Sequence, residues 1–143
     1  MRHYLKILLI LILAIQFPCR GEKAYGEAQV SRLVKVIDGD TFICDIEGFP
    51  DLVGRGISIR IHGIDTPEKN DSRREIKSLA MKAREHTEKL LNLAKKIELK
   101  NMRRGLYFRI VADVWLDDKI DLGKELLANG LAKPCLSKKR AVW

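Results

Sequence analysis

Residues 57–68 read Ile-Ser-Ile-Arg-Ile-His-Gly-Ile-Asp-Thr-Pro-Glu. Isoleucine occupies every second position at the start of this stretch, and Ser58, Arg60 and His62 lie between. An alternation of period two is typical of a β-strand with one face buried and the other exposed. The stretch therefore predicts a half-buried strand that carries an arginine on its exposed face and ends just before a group of acidic residues.

Two more β-rich runs precede this strand. Residues 30–37 alternate loosely between apolar and polar, and residues 41–46 follow after the turn signal Asp38-Gly39. Asp-Gly between two such runs is typical of a tight hairpin. A loop at residues 48–56, which contains glycine and proline, leads from the predicted hairpin into the third strand.

Beyond the third strand the period of the pattern changes. Apolar residues recur at steps of three and four across residues 76–94, which predicts one amphipathic helix of about five turns. Residues 96–100 and 106–116 predict two more strands, joined by a basic turn at residues 102–105. A short helix is predicted at residues 122–129.

The order of these elements is strand, strand, strand, helix, strand, strand, helix. It predicts a β-barrel with helices (α+β): a five-stranded OB-fold-type barrel, with one helix between strands three and four and a short C-terminal helix. The 143 residues, 46% of them hydrophobic, suffice for one such domain and leave no room for a second.

The first residues have the pattern of a secretory signal peptide. Arg2, His3 and Lys6 precede or flank an unbroken apolar run at residues 7–15. The run has about half of the ~20 apolar residues that a membrane-spanning helix needs, so we expect cleavage and not permanent anchoring. An uncleaved membrane anchor is the alternative.

The predicted organisation is a signal peptide at residues 1–28 and a barrel domain at residues 29–143, with the small residues Gly26 and Ala28 just before the cut. We expect the mature protein to be exported, either periplasmic or secreted. No stable membrane association is expected after cleavage, and a monomer is the default oligomeric state.

The net charge and the cysteines limit which ligands, metals and disulfides are expected. The net charge of +8 favours a polyanion such as nucleic acid, anionic lipid or an acidic protein, although solvated lysine faces explain the charge equally well. The three cysteines, Cys19, Cys44 and Cys135, are not clustered as zinc ligands are. Export permits a disulfide between Cys44 and Cys135, but a buried free thiol is the commoner state in an apolar strand.

Three acidic residues lie at the ends of predicted strands, and each also has a purely structural interpretation. Asp40 lies at the hairpin turn, where Asp-Gly is a frequent turn signal. Asp65 and Glu68 flank Thr66-Pro67 in the arrangement of a helix capping box.

Two arginines accompany these acids. Arg60 lies on the polar face of the third strand, and Arg109 lies between apolar residues of the fifth. Each could form a structural ion pair with a nearby acid. Carboxylates that hold a divalent cation and guanidinium groups that neutralise a phosphate are nevertheless the groups that phosphoryl transfer needs. The set is therefore more informative than its members.

Three segments together resemble the staphylococcal nuclease (thermonuclease) family. They are Ile-Asp-Gly-Asp-Thr at residues 37–41, Ile-Arg-Ile-His-Gly-Ile-Asp-Thr-Pro-Glu at residues 59–68 and Tyr-Phe-Arg-Ile-Val-Ala-Asp-Val at residues 107–114. Gly-Leu-Ala at residues 130–132 matches as well, and the resemblance covers residues 30–134.

The resemblance implies a calcium site and a nucleic-acid substrate. Asp40 and Asp65 would supply carboxylate ligands to Ca²⁺, and the carbonyl oxygen of Thr66 would be the third ligand from the protein. The substrate would be DNA and/or RNA, hydrolysed with little sequence preference to leave 3′-phosphates, as expected when contacts to the backbone dominate.

The resemblance also implies three catalytic residues. Glu68 would orient or deprotonate the attacking water. Arg60 and Arg109 would bind the phosphate and stabilise the transition state, for which a planar bidentate donor is better shaped than lysine.

The sequence departs from the family pattern next to one of these arginines. Phe108 stands where the family usually has glycine before Arg109, so we expect a different backbone there. Arg103 and Arg104, in the adjacent predicted turn, are the alternative phosphate ligands.

The sequence thus predicts an exported Ca²⁺-dependent nuclease, with two alternatives. The first is a non-catalytic OB-fold module that only binds nucleic acid; the acidic cluster argues against it, because carboxylates facing phosphate would repel the ligand. The second is a membrane-tethered adaptor, which requires the leader to stay uncleaved.

Overall fold

The strand that contains the alternating isoleucines closes the barrel. In the computed structural model, which describes residues 23–135 and 140–143, this strand is β3 (Ile57–Ile61). It pairs antiparallel with β2 (Thr41–Ile46) on one edge and parallel with β6 (Arg109–Leu116) on the other. Because β3 has a partner on both edges, the sheet has no open edge at this point.

Two further strands complete the ring. β1 (Ala28–Asp38) pairs antiparallel with β2 and with β5 (Ile97–Arg104), and β5 pairs antiparallel with β6. The order around the barrel is β3-β2-β1-β5-β6, closed by the β3–β6 pairing. The predicted five-stranded barrel with helices is confirmed.

Four shorter elements lie outside the five barrel strands. The predicted loop between β2 and β3 contains one helical turn, and short paired strands follow β3, β6 and the last helix. These elements are α1 (Asp51–Gly54), β4 (Ile64–Asp65), β7 (Ile120–Asp121) and β8 (Lys133–Pro134). β4 pairs with β8, which brings the chain after the last helix next to the end of β3.

The long helix α2 (Arg74–Leu93) packs against β1 near the hairpin turn. Thr87 is fully buried and donates its hydroxyl hydrogen to the carbonyl oxygen of Gly39 at 2.7 Å. A Cβ atom at Gly39 would lie 2.7 Å from the Cβ of Ala83, so glycine is needed where the helix crosses the turn. The helix starts after Arg73, so the capping-box interpretation of Asp65 and Glu68 is wrong.

The short helix α3 (Leu122–Ala128) begins directly after β7. The side chain of Asp121 accepts a hydrogen bond from the backbone N–H of Lys124 at 3.1 Å and so caps the helix. The predicted helix at residues 122–129 is therefore present, one residue shorter at its end.

The barrel interior is filled by one contiguous apolar core. The isoleucines of β3 are buried, as the alternation predicts, and belong to one cluster with side chains from every other barrel strand. The core residues of the barrel strands with no exposed surface are Phe42, Cys44, Ile59, Leu99, Ala112 and Val114. The core therefore depends on the same alternation that places Arg60 on the outer surface.

Within the described residues, Cys44 and Cys135 do not form a disulfide with each other. Cys44 is fully buried in the core. Burial, with a smaller contribution from the charge of Asp45, raises the pKa of the Cys44 thiol to about 12. Cys44 is thus a protonated, apolar core residue, as the free-thiol interpretation predicts.

The N-terminal boundary of the barrel lies close to the predicted cleavage site. The backbone N–H of Tyr25 donates to the carbonyl of Met102 at 2.7 Å, and the N–H of Met102 donates to Gly26 at 3.0 Å. A chain that began at Gln29 would lose these bonds. Residues 1–22, with most of the predicted signal peptide, lie outside the described residues, and the cleavage site stays a prediction.

Within residues 23–135 and 140–143, no helix is both long enough and apolar enough to span a bilayer.

The turn between β5 and β6 differs from the prediction. β5 continues through Arg104, and the turn is formed by residues 106–109, with the N–H of Arg109 donating to Leu106 at 3.3 Å. Tyr107 and Phe108 both have left-handed backbones, with φ of 56° and 57°. Positive φ at both central residues is typical of a type I′ hairpin turn, which matches the twist of the strands. The strand propensity of residues 106–108 predicted an earlier start of β6. These residues form the turn instead, so β6 starts at Arg109.

The left-handed backbone of Phe108 yields a stability prediction. A side chain in this region costs about 1 kcal/mol relative to glycine, part of which the larger unfolded-state entropy of glycine offsets. We expect Phe108→Gly to raise the free energy of unfolding by about 0.5–1 kcal/mol. Phe108→Ala is the control, because it removes the ring and keeps Cβ. Equal unfolding free energies of the two variants in urea would contradict the argument.

Candidate active site

Two buried carboxylates converge on one guanidinium group. Asp40 lies in the turn between β1 and β2 and is 3% exposed, and Asp65 lies in β4 and is 1% exposed. Arg60 Nη1 is 3.0 Å from Asp40 Oδ2, and Arg60 Nη2 is 2.7 Å from Asp65 Oδ1. The two arms of Arg60 therefore hold the two acids side by side.

The barrel explains this convergence. Arg60 faces outward on β3, and its register partner on β2 is Thr41, the residue next to Asp40. The N–H of Ile61 donates to the backbone carbonyl of Asp40 at 2.9 Å, which fixes the turn beside β3. Asp65 follows β3 after one tight turn at Gly63, where φ is +75°. Strand pairing thus brings together acids that are 25 residues apart in the sequence.

The carboxylate of Asp40 is further held by the chain around it. Its Oδ1 accepts from the hydroxyl of Thr41 at 2.8 Å, and its Oδ2 accepts from the backbone N–H of Thr66 at 3.1 Å. Thr66 is itself buried. The three residues predicted as metal ligands, Asp40, Asp65 and Thr66, are therefore adjacent in the structure.

The two acids favour the charged form of Arg60. Burial opposes the charged guanidinium, but the carboxylates of Asp40 and Asp65 outweigh this effect and raise the pKa of Arg60 above its ordinary value. For Arg60, the ion-pair interpretation of the sequence is thus correct. Removing one partner from a buried group of an arginine and two acids destabilises the fold by several kcal/mol, because a buried charge is left uncompensated.

Arg109 differs from Arg60 in having no partner among the described residues. It is the first residue of β6, opposite Ser58 in the parallel pairing with β3, and it lines the same cleft as Asp40 and Arg60. Within the described ranges of the chain, its guanidinium group has neither an ion pair nor a hydrogen bond. It is therefore the arginine that is available to an incoming anion.

The Phe108 substitution does not remove Arg109 from the site. Phe108 adopts the left-handed conformation that glycine adopts without strain, so the family glycine and this phenylalanine are compatible with the same turn. The predicted substitutes lie elsewhere: Arg103 is 3.9 Å from Asp113, and Arg104 lies over the ring of Tyr25. Neither of them lines the cleft.

Glu68 lies at the exposed rim of the cleft, where water reaches it. Its carboxylate forms an ion pair with Arg140. The next residue, Ala141, donates its backbone N–H to Asp65 Oδ2 at 3.1 Å. Residues 140–141 therefore lie across the cleft and contact two of the predicted site residues.

The cleft contains residues that the sequence analysis missed. Its volume is about 190 Å³, and Lys69, Asn70 and Arg140 are among its lining residues. Lys69 pairs with Asp38 at 3.3 Å, and both residues line the cleft with Asp40. Lys69 directly follows Glu68, so its proximity was open to inference, whereas nothing in the sequence indicates that Arg140 reaches a residue 72 positions earlier.

The donors suit a cation that prefers oxygen. Two buried carboxylates lie next to the Thr66 peptide, and oxygen ligands of this kind are those that Ca²⁺ and Mg²⁺ prefer. Within residues 23–135 and 140–143, no group of three or more His, Cys, Asp or Glu side chains could hold a metal. A cation here would thus complete its ligand shell with water or substrate, and it would compete with Arg60 for the carboxylates.

Comparisons with known proteins agree with this geometry. Residues 58–141, more than half of the chain, match the family described as Staphylococcal nuclease homologue. The Thermonuclease of Staphylococcus hyicus is 30% identical over 136 residues, which cover 90% of this chain and 73% of that protein. The Thermonuclease of Staphylococcus intermedius is 36% identical over 115 residues, which cover 77% of this chain and 65% of that protein.

A fungal protein is similar as well. The Probable endonuclease LCL3 of Verticillium alfalfae is 36% identical over 100 residues, which cover 68% of this chain but 34% of that protein. The chain therefore spans less than two thirds of the length of two of these three relatives. The family match and the identity to the first thermonuclease lead to one conclusion: this chain belongs to the staphylococcal nuclease homologue family.

Proposed function

We propose that this protein is an exported Ca²⁺-dependent nuclease that hydrolyses phosphodiester bonds of DNA and/or RNA with little sequence preference and leaves 3′-phosphates. The observation that carries the proposal is the arrangement around one cleft of two buried acids, the arginine between them and Arg109, which has no partner among the described residues. The names of the relatives, Thermonuclease and Probable endonuclease, support the same chemistry. The apolar run at residues 7–15 supports export.

The two arginines have different tasks in this proposal. Arg109 has no competing carboxylate among the described residues, so its planar N–H donors are free to bind a phosphate oxygen. Arg60 is held in one orientation by Asp40 and Asp65, and it presents its guanidinium edge to the same cleft. Both donors are in place before the reaction, which is how fixed cations stabilise charge that develops in a transition state.

The acids have the complementary task. Asp40, Asp65 and the carbonyl oxygen of Thr66 would hold the divalent cation, which when bound supplies positive charge to the phosphate. Glu68 is at the wet rim of the cleft, where its carboxylate can accept a proton from the attacking water. Arg140 occupies that carboxylate, so it must move aside before Glu68 can act as the base.

The main alternative is a barrel that binds nucleic acid without cleaving it. Such a module needs cations along its surface and gains nothing from two buried carboxylates that face phosphate, because their charges repel the ligand. Burying these acids is also unfavourable unless they are paired. The buried pair thus favours the catalytic proposal.

The first test is hydrolysis of single-stranded DNA by the full chain, with calcium and then with excess chelator. We expect cleavage that the chelator abolishes and added Ca²⁺ restores, because a cation held by a few oxygen ligands exchanges readily. DNA binding without cleavage under any divalent cation would contradict the proposal and favour the binding module.

Glu68 offers a test of the base. We expect Glu68→Gln to lower kcat by about 10²- to 10⁴-fold, since the amide cannot accept the proton. The fold should be unaffected, because the side chain is exposed. Glu75→Gln, an exposed glutamate in the first turn of α2, is the matched control and should retain full activity. A normal rate for Glu68→Gln would exclude this role.

Substitution of Arg60 and of Arg109 is predicted to affect stability and activity differently. Arg60→Ala leaves two buried acids unpaired, so we expect it to lower the free energy of unfolding by about 3–5 kcal/mol. Arg109→Ala breaks no pair among the described residues, so the unfolding free energy should hardly change while kcat falls by about a hundredfold or more. Urea unfolding and steady-state kinetics measure the two effects. Similar loss of stability in both variants would show that Arg109 is a structural arginine.

A further inference from the structure

Residues 140–143 lie against the acidic residues of the cleft, and we call these four residues the strap. Arg140 lines the cleft and forms an ion pair with Glu68. The next residue, Ala141, donates its backbone N–H to Asp65 Oδ2 at 3.1 Å. Two of the acids that the proposed function needs are therefore already bound by other residues of the same chain.

Both carboxylate oxygens of Asp65 have a hydrogen-bond donor. Arg60 Nη2 is 2.7 Å from Oδ1, and Ala141 occupies Oδ2. A divalent cation binds a carboxylate through the same lone pairs that accept hydrogen bonds, so a cation at Oδ2 competes with the N–H of Ala141. Arg60 belongs to a barrel strand and is also paired with Asp40, whereas Ala141 belongs to the strap. The strap is therefore the partner of Asp65 that a cation displaces more easily.

The second half of the strap is bound by residues that do not line the cleft. Lys133 Nζ donates to the backbone oxygen of Val142 at 2.7 Å and lies 4.6 Å from the centre of the Trp143 ring. Arg73 Nη1 donates to the backbone oxygen of Trp143 at 2.6 Å. Lys133 is the register partner of Asp65 in the β4–β8 pair, so these contacts begin beside the site. They hold the strap in the position from which it reaches the two acids.

The contacts of the docked strap are weak enough to be displaced. The side chains of Arg140 and Glu68 are each 57% exposed, and exposed ion pairs add little to stability. The indole N–H of Trp143 is buried and has no hydrogen-bond acceptor within the described ranges, which opposes docking. A segment held in this way occupies the acids when no ligand competes for them, and it undocks when one does.

We propose that the strap is an autoinhibitory segment that covers Asp65 and Glu68 until a divalent cation at Asp65 displaces it. The docked strap keeps a cation from Asp65 Oδ2 and keeps Glu68 in an ion pair. Undocking opens Asp65 to the cation and Glu68 to water. The inference rests on the proposed function for the chemistry of the site, and it adds that cation binding and exposure of the base are coupled.

Two variants without a change of charge weaken the strap and leave the acids intact. Ala141→Pro removes the N–H that occupies Asp65 Oδ2, and Trp143→Ala removes the ring that contacts Lys133. Because the cation binds only the undocked form, its apparent affinity rises as docking weakens. We expect the Ca²⁺ affinity of the full chain to rise about tenfold in Ala141→Pro and about two- to fivefold in Trp143→Ala.

Isothermal titration calorimetry without nucleic acid measures these affinities, so the result does not depend on turnover. Val142→Ala is the matched control. Its side chain is 88% exposed, and its contact with Lys133 is made by the backbone oxygen, which alanine keeps. The Ca²⁺ affinity of Val142→Ala should equal that of the unaltered chain.

The fluorescence of Trp143 reports undocking directly. The residue is half-buried in the docked strap, and an indole that moves into water emits at longer wavelength. Ca²⁺ should therefore shift the emission of the unaltered chain to the red in the absence of nucleic acid. Trp143→Ala keeps Trp115, the other tryptophan of the chain, and should show no shift.

Three results would overturn the inference. They are Ca²⁺ binding to the unaltered chain without a red shift, a Ca²⁺ affinity of Ala141→Pro no higher than that of Val142→Ala, and a lack of Ca²⁺ binding by all of these proteins. If Ala141→Pro does not fold, the red shift of the unaltered chain still decides.

The nuclease proposal and the strap fail in different ways. A red shift and a raised affinity in Ala141→Pro, but no cleavage of DNA, would overturn the nuclease proposal and keep the strap. Chelator-sensitive cleavage by a chain whose emission does not respond to Ca²⁺ would keep the nuclease and exclude the strap.

Discussion

The ion-paired unit of Asp40, Arg60 and Asp65 is the constraint on which the site depends. Both acids are almost completely buried, and a buried carboxylate is stable only when a cation or several hydrogen-bond donors compensate for its lost hydration. β3 supplies that cation from its outer face, because the isoleucines that alternate with Arg60 occupy the core. Barrel closure and the charge of the site are therefore consequences of one short alternating segment.

Most of the fold could be predicted from local patterns, and the errors occurred where local propensity and turn geometry disagree. The alternation in β3 and the helical period of α2 fixed the element types correctly. At the β5–β6 turn, Tyr107 and Phe108 have the side chains of a strand and the backbone of a type I′ turn. No sequence rule recognises such a turn without glycine or asparagine. The short β4–β8 pair was missed because two-residue strands have no period.

The residues of the site were predictable from the sequence, but the ion pairs and hydrogen bonds between them were not. Asp40 is both a turn residue and a member of the buried cluster, so two interpretations that looked exclusive in the sequence hold together. Asp65 resembled a helix cap because no sequence signal marks the start of α2. The helix in fact starts at Arg74, nine residues after Asp65. Strand register places Arg60 beside Thr41, the residue next to Asp40, and Arg109 opposite Ser58, and a single sequence does not reveal this register. Among the described residues, Arg60 is therefore paired and Arg109 is not.

In the proposed nuclease, the formal charges of the cleft favour a divalent cation. Asp38 and Lys69 neutralise each other, so the net charge depends on Asp40, Glu68, the two arginines and Asp65, which is paired with Arg60. Three carboxylates against two guanidinium groups leave one negative charge, which Arg140 now compensates at Glu68. A phosphodiester that displaces Arg140 brings a second negative charge into a space of about 190 Å³. Because like charges in a partly buried site repel strongly, substrate and a dication would each bind better when the other is present.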